Sequence, residues 1–446
     1  MPSSSASALR HIPGSLGLPV LGDTVGFLTR PVELFNDKQR RYGDVFKARL
    51  FGRTAVYLLG AEANKFVLVE QARHCSSQEG WRFPIGELFH GGLMLRDGEE
   101  HKSHRGILQA AFKKEPMRQY LGVMAPIIER RLAEWGRQPT LRVFPAVKHL
   151  TLELAGKVFF DLDFSQDLAR LNQAMADLVA AATAPVPFNL PFTQYRRGMQ
   201  GRGLLQEYFG RVLQERRQAP AADMLSHLCQ AEGADGQRLT DAEIVDHLIF
   251  FLMAAHDTTA STLTSLFYEL GTHPDWQERL RAESQAAHPA TGPVEQAHLG
   301  QLEQLGYVLE ETLRLHPPLI LIPRQTTQEL TYNGFTIPAN THLSVLLYHN
   351  HQNPAYWTAP DQFDPLRFAA GRQEHRKCPF GYAPFGAGQH HCLGFAFADM
   401  QVKLVMHHLL RRYRWRLPAG YRADFANIPI QHPKDGLPVQ LEVLHS

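Results

Sequence analysis

The sequence predicts a mainly α-helical protein with small β-sheets. Three observations lead there. Apolar residues recur at helical spacing through most of residues 98–285. Strand-like text, in short runs bounded by turn residues, is confined to residues 45–59, 319–347 and the C-terminal tail. No Ser/Gly-rich or charged linker divides the 446 residues, so a single domain spanning 1–446 is expected. With 44% hydrophobic and 20% charged residues, the chain can enclose a large core at this length.

In chain order, residues 11–30 are rich in Gly and Pro and predict extended surface coil. Val45–Leu50 and Thr54–Leu59 flank Phe51-Gly52-Arg53 and predict a hairpin. Gly98 opens a helical pattern that continues through Leu108, Ala111 and Phe112. Further helical stripes occupy 118–135, 145–160, 165–182 and 196–217. Between the last two lies a Pro-broken apolar loop, Ala184 to Phe192. Thr240 with Glu243 three residues on forms a capping box, and the helix it starts should run to Thr272, before Pro274. Leu248 to Ala255 is apolar almost without interruption, which predicts a helix buried on most sides. A helix over 301–315 should end at Pro317-Pro318, with short strands through 319–347. Phe395 to Tyr413 is again helical, and the tail returns to strand. There is no internal repeat and no low-complexity segment.

Composition also excludes function classes. The net charge is +2, with no zinc-finger spacing, RNA-binding signature or arginine-rich tail, so no nucleic-acid partner is expected. Cysteines stand at 75, 229, 378 and 392, too scattered for a disulfide framework, and fit reduced thiols in the cytoplasm. The first 23 residues hold no apolar run of signal-peptide or membrane-span length, so no membrane anchor is expected. A soluble monomer is the expectation.

Four constellations carry chemistry. In Phe385-Gly-Ala-Gly-Gln-His-His-Cys-Leu-Gly394, Cys392 stands between Gly388 and Gly394, just before a helix. A helix N-terminus favours a thiolate, and the glycines would let a flat cofactor approach the backbone. The blander reading is a buried structural cysteine. A metal cluster at His390-His391-Cys392 is disfavoured, because no second Cys/His pair stands at zinc-like spacing. In the buried helix, Asp257 and Thr258 interrupt an apolar segment, and buried polar groups are costly without partners. For Thr259 a hydrogen bond back to the previous turn is the expected explanation. Glu311 and Arg314, at i and i+3, share one helix face and can pair. His101 and Arg105, at i and i+4, share another, which is either a solvated face or an anion-binding one.

The cysteine segment resembles the haem-binding loop of the cytochrome P450 superfamily, Phe-x-x-Gly-x-(Arg/His)-x-Cys-x-Gly, and the likeness extends from end to end of the chain. The resemblance implies that superfamily's fold, with a helix-rich and a sheet-rich part. It implies haem b (iron protoporphyrin IX) with Cys392 as axial thiolate, Phe385 packed near it and Gly388 and Gly394 framing it. His390 falls at a propionate-binding position where arginine is more usual, and His101, Arg105 and Arg324 match other propionate partners. Asp257 and Thr258 match the acid–threonine pair that relays protons for oxygen activation, with Ala255 in place of the usual glycine. Glu311-Thr-Leu-Arg314, with Arg367 in Phe363-Asp-Pro-Leu-Arg-Phe368, matches a buried ion network that keeps the cysteine loop in register.

The activity so implied is that of a bacterial haem-thiolate monooxygenase using O2. Its electrons would come from a separate ferredoxin or flavodoxin with its NAD(P)H reductase. An acidic partner could be steered to Lys113, Lys114, Arg372, Arg376, Lys377, Arg411 and Arg412. Segments of the first third, such as Pro13–Gly22 and Tyr42–Lys47, resemble the retinoic-acid hydroxylase branch and its cyanobacterial relatives. By family position the pocket walls are Trp81, Phe83, Phe188, Phe192, Phe251, Ala255, Leu319, Ile320, Ile428 and Ile430, with Arg82 available to a carboxylate. Such walls suit a small apolar substrate: a retinoid, terpenoid, steroid or fatty acid. Two alternatives stand beside this reading. One is a peroxide-driven fatty-acid peroxygenase, whose members usually lack the acid–threonine pair. The other is a non-enzymatic haem-binding protein.

Overall fold

Phe51 and Gly52 both take left-handed backbone angles, φ 49° and 74°. That is the geometry by which two residues join antiparallel strands. They link β1 (Val45–Leu50) to β2 (Arg53–Leu58), so the second strand begins one residue earlier than expected. β3 (Cys75–Ser76), β4 (Leu321–Thr326) and β5 (His342–Leu346) complete a sheet of order β1-β2-β5-β4-β3. β2 and β5 run parallel and all other neighbours antiparallel. The sheet therefore joins the N-terminal region to the segment after the Pro-Pro turn, and β4 carries Arg324. The protein is described here by a computed structural model, which covers residues 8–161, 168–182, 184, 188–221, 223–234, 236–288 and 292–444.

The helices that position the site are α1 (Gly98–Leu108), α2 (Val143–Phe160), α3 (Asp241–Thr272), α4 (Glu303–Leu315) and α5 (Phe395–Arg412). The capping box of α3 is formed as the sequence predicts: the Glu243 amide donates to the Thr240 hydroxyl (3.3 Å) and the Thr240 amide donates to the Glu243 carboxylate (2.8 Å). Such a cap contributes about 1 kcal/mol. Helices Lys114–Trp135, Leu168–Ala181 and Gln194–Gln218 occupy the remaining stripes. Part of the 165–182 stripe and part of the 184–192 loop lie outside the described residues. α3 runs through the largest core cluster, packed on α2, with Leu248, Ile249, Leu263 and Leu266 fully buried.

Residues 11–30 depart from the expected coil. Thr24–Thr29 is a short helix, and Pro31–Tyr42 follows as another. Aromatic packing accounts for this, because Phe27 lies edge-on to both Phe35 and Phe51, with ring centroids 6.0 Å apart in each case. A helix over Ser77–Ile85 was also not apparent from periodicity; it is capped by Ser76, whose hydroxyl accepts from the Glu79 amide. Among the described residues all four cysteines are free, and no helix is long and apolar enough to cross a membrane.

Candidate active site

The cysteine loop is held from three sides. The Cys392 amide donates to the Phe385 carbonyl at 3.0 Å, and the His391 amide to the Gly388 carbonyl at 3.0 Å. Gly388 has φ +66°, and a Cβ there would lie 2.0 Å from the Leu68 carbonyl oxygen. The loop backbone thus sits directly on the 66–70 turn, where only glycine fits. Gly394 caps α5, and a Cβ added to it would meet no protein atom within 4 Å. The two glycines play different parts: one is pressed against protein, the other borders open space.

Cys392 is solvent-accessible yet surrounded by protein. Such a side chain fits a recess in the protein. Burial pushes its thiol up, while the Gly394 amide and Arg105 pull it down less strongly. The sequence suggested a thiol already lowered by the helix N-terminus; here desolvation outweighs that effect. A bound metal ion would displace the proton. Phe385 packs edge-on to Phe395 at 4.8 Å beside the loop.

Facing the loop is a cluster of nitrogen-bearing side chains with few anions. The His101 and His390 rings lie with centroids 3.9 Å apart, tilted by 40°. Burial, then Arg105, depresses His101 to about 4. Burial, then Arg324, His101 and Arg105, depresses His390 to about 2. Arg324, 5% exposed, is lowered to about 10 by burial, and its Nη1 donates only to its neighbour's carbonyl, Pro323, at 2.8 Å. The nearest acid, Asp97, is 3.7 Å from His390 Nε2 and is itself bonded to the Ser76 hydroxyl and the Ser77 amide. His390 Nε2 is buried without a hydrogen-bond partner. A buried site with excess donors and orphaned polar nitrogen fits carboxylate groups such as the two propionates of haem. Asp97 was not singled out from sequence, although it directly precedes α1.

α3 is less covered at one stretch. Apart from half-buried Asp246, its residues from 244 to 252 and from 259 to 267 are buried, whereas Met253, Ala254, Ala255 and Thr258 are only half-buried. The Thr258 hydroxyl donates to the Ala254 carbonyl at 2.7 Å, so the back-bond expected of Thr259 is made by its neighbour. Asp257 is buried and turned toward α2, with Lys148 Nζ 2.9 Å and His256 Nδ1 3.0 Å from Oδ1. Burial alone would raise this carboxyl, but His256 and Lys148 bring it down to about 2. The structure sets Asp257 and Thr258 side by side and ties them to different partners. Lys148 had no sequence signal, since pairing across α2 and α3 is tertiary.

Glu311, Arg314 and Arg367 converge, each fully buried. Arg314 donates to Glu311 through Nε (2.7 Å) and Nη2 (2.8 Å), and Arg367 Nε donates to it at 2.9 Å. Glu374, not anticipated, joins through Arg367 at 3.3 Å and Arg372 at 2.6 Å.

The expected pocket walls are less uniform. Ile320 is buried, and Trp81, Phe83, Ala255, Leu319, Ile428 and Ile430 are half-buried. Phe251 packs into the core against Phe112, 6.0 Å away. Phe188 and Phe192 do not line a wall: they are 64% and 99% exposed. The Thr193 hydroxyl donates to the Phe188 and Leu190 carbonyls and accepts from the Arg196 amide, which turns the chain so that both rings face outward. Arg82 also points to solvent, its side chain 66% exposed and paired with Glu79 at 2.9 Å. Of the basic residues, Arg372 and Arg412 are paired with acids and Arg411 with His288. Lys113, Lys114, Arg376 and Lys377 are exposed and without ion-pair partners among the described residues. Among those residues, no group of three or more His, Cys, Asp or Glu is arranged to hold a metal ion, so His390, His391 and Cys392 do not form a cluster.

Comparison with known proteins agrees with this geometry. Residues 12–433 match the family description "Cytochrome P450". The chain is similar to a putative cytochrome P450 136 of Mycobacterium tuberculosis, 38% identical over 98% of this chain and 89% of the relative. It is similar to abscisic acid 8′-hydroxylase 4 of Arabidopsis thaliana, 29% identical over 96% of this chain and 91% of the relative. Among solved structures, a retinoic acid-bound cyanobacterial CYP120A1 superposes with TM-score 0.90 at 29% identity, covering 97% of this chain and 99% of that one.

Proposed function

The chain belongs to the cytochrome P450 family and is a monooxygenase, and on that premise we propose that it oxidises an apolar isoprenoid substrate at a haem b bound between Cys392 and the His101–Arg105–Arg324–His390 cradle. The observation that carries the reading is the cradle: nitrogens that outnumber the one nearby acid, Asp97, with Arg105 close enough to Cys392 for each to shift the other. When bound, the haem would supply O2 activation and electron transfer at a thiolate-ligated iron. Cys392 would ligate the iron. His101, Arg105, Arg324 and His390 would hold the propionates, and Gly394 would leave room for the ring. Thr258 and Asp257 would move protons toward the half-buried stretch of α3, through water. Exposed Lys113, Lys114, Arg376 and Lys377 would attract a ferredoxin or flavodoxin that, reduced by its NAD(P)H reductase, would deliver electrons.

The isoprenoid assignment rests on two names. Retinoic acid, bound by the cyanobacterial relative, and abscisic acid, hydroxylated by the Arabidopsis one, are both isoprenoid carboxylic acids. Arg82 is a poor candidate for the carboxylate, being paired with Glu79. Arg53 is a better one. Its guanidinium lies 4.3 Å over the ring of Phe83, with no carboxylate partner among the described residues.

The test has two parts. Purified protein should bind one haem and give the red-shifted carbonyl spectrum of thiolate ligation, and Cys392→Ala should abolish that spectrum. Optical titration should then show a saturable spin-state shift with retinoic or abscisic acid, weakened by Arg53→Gln. A shift with fatty acids alone would reject the isoprenoid assignment. Turnover on hydrogen peroxide that outpaces the electron-fed reaction would favour a peroxygenase.

A further inference from the structure

Two buried histidines meet between α1 and α3, away from the cysteine loop, the acid–threonine pair and the Glu311 network. His104 Nδ1 lies 2.9 Å from His247 Nε2. We propose that His104 and His247 are positioning residues for haem: their bond fixes α1 against α3, so that His101 and Arg105 on α1 are presented to the propionates. The inference rests on the haem-binding reading above and adds to it two residues outside the cradle.

Chemistry sets the direction of that bond. Arg96 Nη1 is 3.3 Å from His104 Nε2, and a guanidinium can only donate. His104 Nε2 therefore accepts, its Nδ1 carries the proton, and Nδ1–H donates to His247 Nε2. Arg96 is itself held, because its Nε donates to the Gly91 carbonyl at 3.0 Å and its Nη1 pairs with Glu100 in the first turn of α1. On the other side, Glu243 Oε1 stands 3.5 Å from His104 Nε2, and the same carboxylate caps α3 through the Thr240 amide. Groups from the first turn of each helix thus brace the pair. His104 lies one turn from His101 and next to Arg105, so any slip or rotation of α1 at this bond carries both cradle residues with it.

The bond brings in no charge. Burial, then Arg96, lowers His104, with Glu243 and Glu100 opposing less strongly. Burial, then His104 and Arg96, lowers His247 well below the ordinary imidazole range. Both rings are therefore neutral near neutral pH, and they join the helices without competing with His101 and Arg105 for an anion. Filling space does not explain the imidazole at 247. Its ring stacks on Phe251 at 6.2 Å, and Phe251 meets Phe112, just beyond α1, at 6.0 Å. A phenylalanine would make such contacts without His247 Nδ1, which is buried without a partner and costs stability. What the imidazole adds is an acceptor for His104. Ring packing alone resists separation of the helices, whereas a directional bond also resists sliding.

The test uses haem-loaded protein, with His247→Phe, His247→Gln and Arg105→Gln. His247→Phe keeps the ring and removes the acceptor, and His247→Gln supplies an amide oxygen in its place. Haem release to a scavenging protein should be about tenfold faster in His247→Phe, the most that one neutral hydrogen bond sustains, and should return to within about twofold of the parent in His247→Gln. The propionate bands of the resonance Raman spectrum should shift in His247→Phe and return in His247→Gln. Arg105→Gln should speed release in the parent, and by a smaller factor in His247→Phe, where the cradle is already displaced. Single effects that multiply in the double variant to within about twofold would overturn the proposal. So would parental release and parental bands in a folded His247→Phe, even one with a lower melting temperature, since the histidines would then support the fold alone. If His247→Phe does not fold, His104→Phe decides by the same readouts. A parent that binds no haem ends the function proposed above and this inference with it. A parent that binds haem beside a His247→Phe that behaves like it ends only the positioning role.

Discussion

Replacing Glu311 by alanine removes the centre of a buried ion network. Glu311 accepts four hydrogen bonds, two from Arg314, one from Arg367 Nε at 2.9 Å and one from the Asp364 amide at 2.8 Å. All three charged side chains are fully buried, so water cannot replace the carboxylate. Arg314 would keep the carbonyls of His351, Pro360 and Gln362, and Arg367 those of Thr358, Ala359 and Gln362. Those bonds satisfy donors but not charge. Glu374, 3.3 Å from Arg367, offsets one guanidinium and leaves Arg314 uncompensated. Breaking one partner out of such a group costs about 3–5 kcal/mol, a large part of the ~5–15 kcal/mol that holds a folded protein. The assay is urea denaturation of the parent and Glu311→Ala, with haem per protein measured on the same preparations. The variant should be destabilised by that amount and be largely haem-free. A loss below about 1 kcal/mol, with full haem occupancy, would refute the assignment of the network as a support of the cysteine loop.

Three further outcomes follow from geometry and charge. Gly388→Ala should lower both stability and haem content, because its Cβ would strike the Leu68 carbonyl and its φ is +66°; backbone strain of this kind costs about 1–3 kcal/mol. Gly394→Ala, whose Cβ meets no protein atom within 4 Å, should leave the melting temperature of haem-free protein unchanged and weaken haem binding. Haem-free protein should also be acid-sensitive well above the carboxylate range. His101 and His351 are depressed to about 4 and about 3, chiefly by burial, so the unfolded chain binds more protons below pH ~6.5. Their stabilisation is complete above ~6.5 and falls as pH drops toward the folded values, by up to about 1.4 kcal/mol per unit for each imidazole. Denaturation midpoints at pH 8, 6 and 5 check this, and a flat profile would contradict it.

What was legible in the sequence had local causes. The capping box of α3, the helical stripes and the hairpin depend on neighbours a few residues apart, and they form nearly as written. The Glu311–Arg314 pair is local as well, and only its third arm, Arg367, needed the family pattern. What was not legible is set by tertiary contact. Nothing in the sequence distinguishes Lys148 from other lysines of an amphipathic helix; its meaning comes from α2 packing on α3. The outward turn of Phe188 and Phe192 depends on one hydroxyl, that of Thr193, engaging two carbonyls at once. The excess of nitrogens over acids around His101 and Arg324 is likewise invisible in single residues, because it is a balance among groups from several elements.

The network also reaches the thiol by a traceable path, and His351 is its joint. Arg314 Nη1 donates to the His351 carbonyl at 2.8 Å. The His351 ring accepts from the Ala383 amide through Nε2 at 3.2 Å. The Ala383 carbonyl accepts from Gly386, and the Phe385 carbonyl accepts from Cys392, each at 3.0 Å. For Nε2 to accept, the ring must be neutral with its proton on Nδ1, and burial together with the adjacent Arg314 keeps it so, at about 3. His351→Phe keeps the bulk of the ring and removes the acceptor, leaving a buried amide unpaired at a cost of about 1–3 kcal/mol. Since His351 touches neither the thiol nor the cradle, a purely local role predicts a less stable protein with a normal carbonyl spectrum. A role in setting the loop predicts reduced haem occupancy and partial loss of the thiolate spectrum even where the protein remains folded. A folded His351→Phe with full haem and the parental spectrum would show that the loop holds its register without α4.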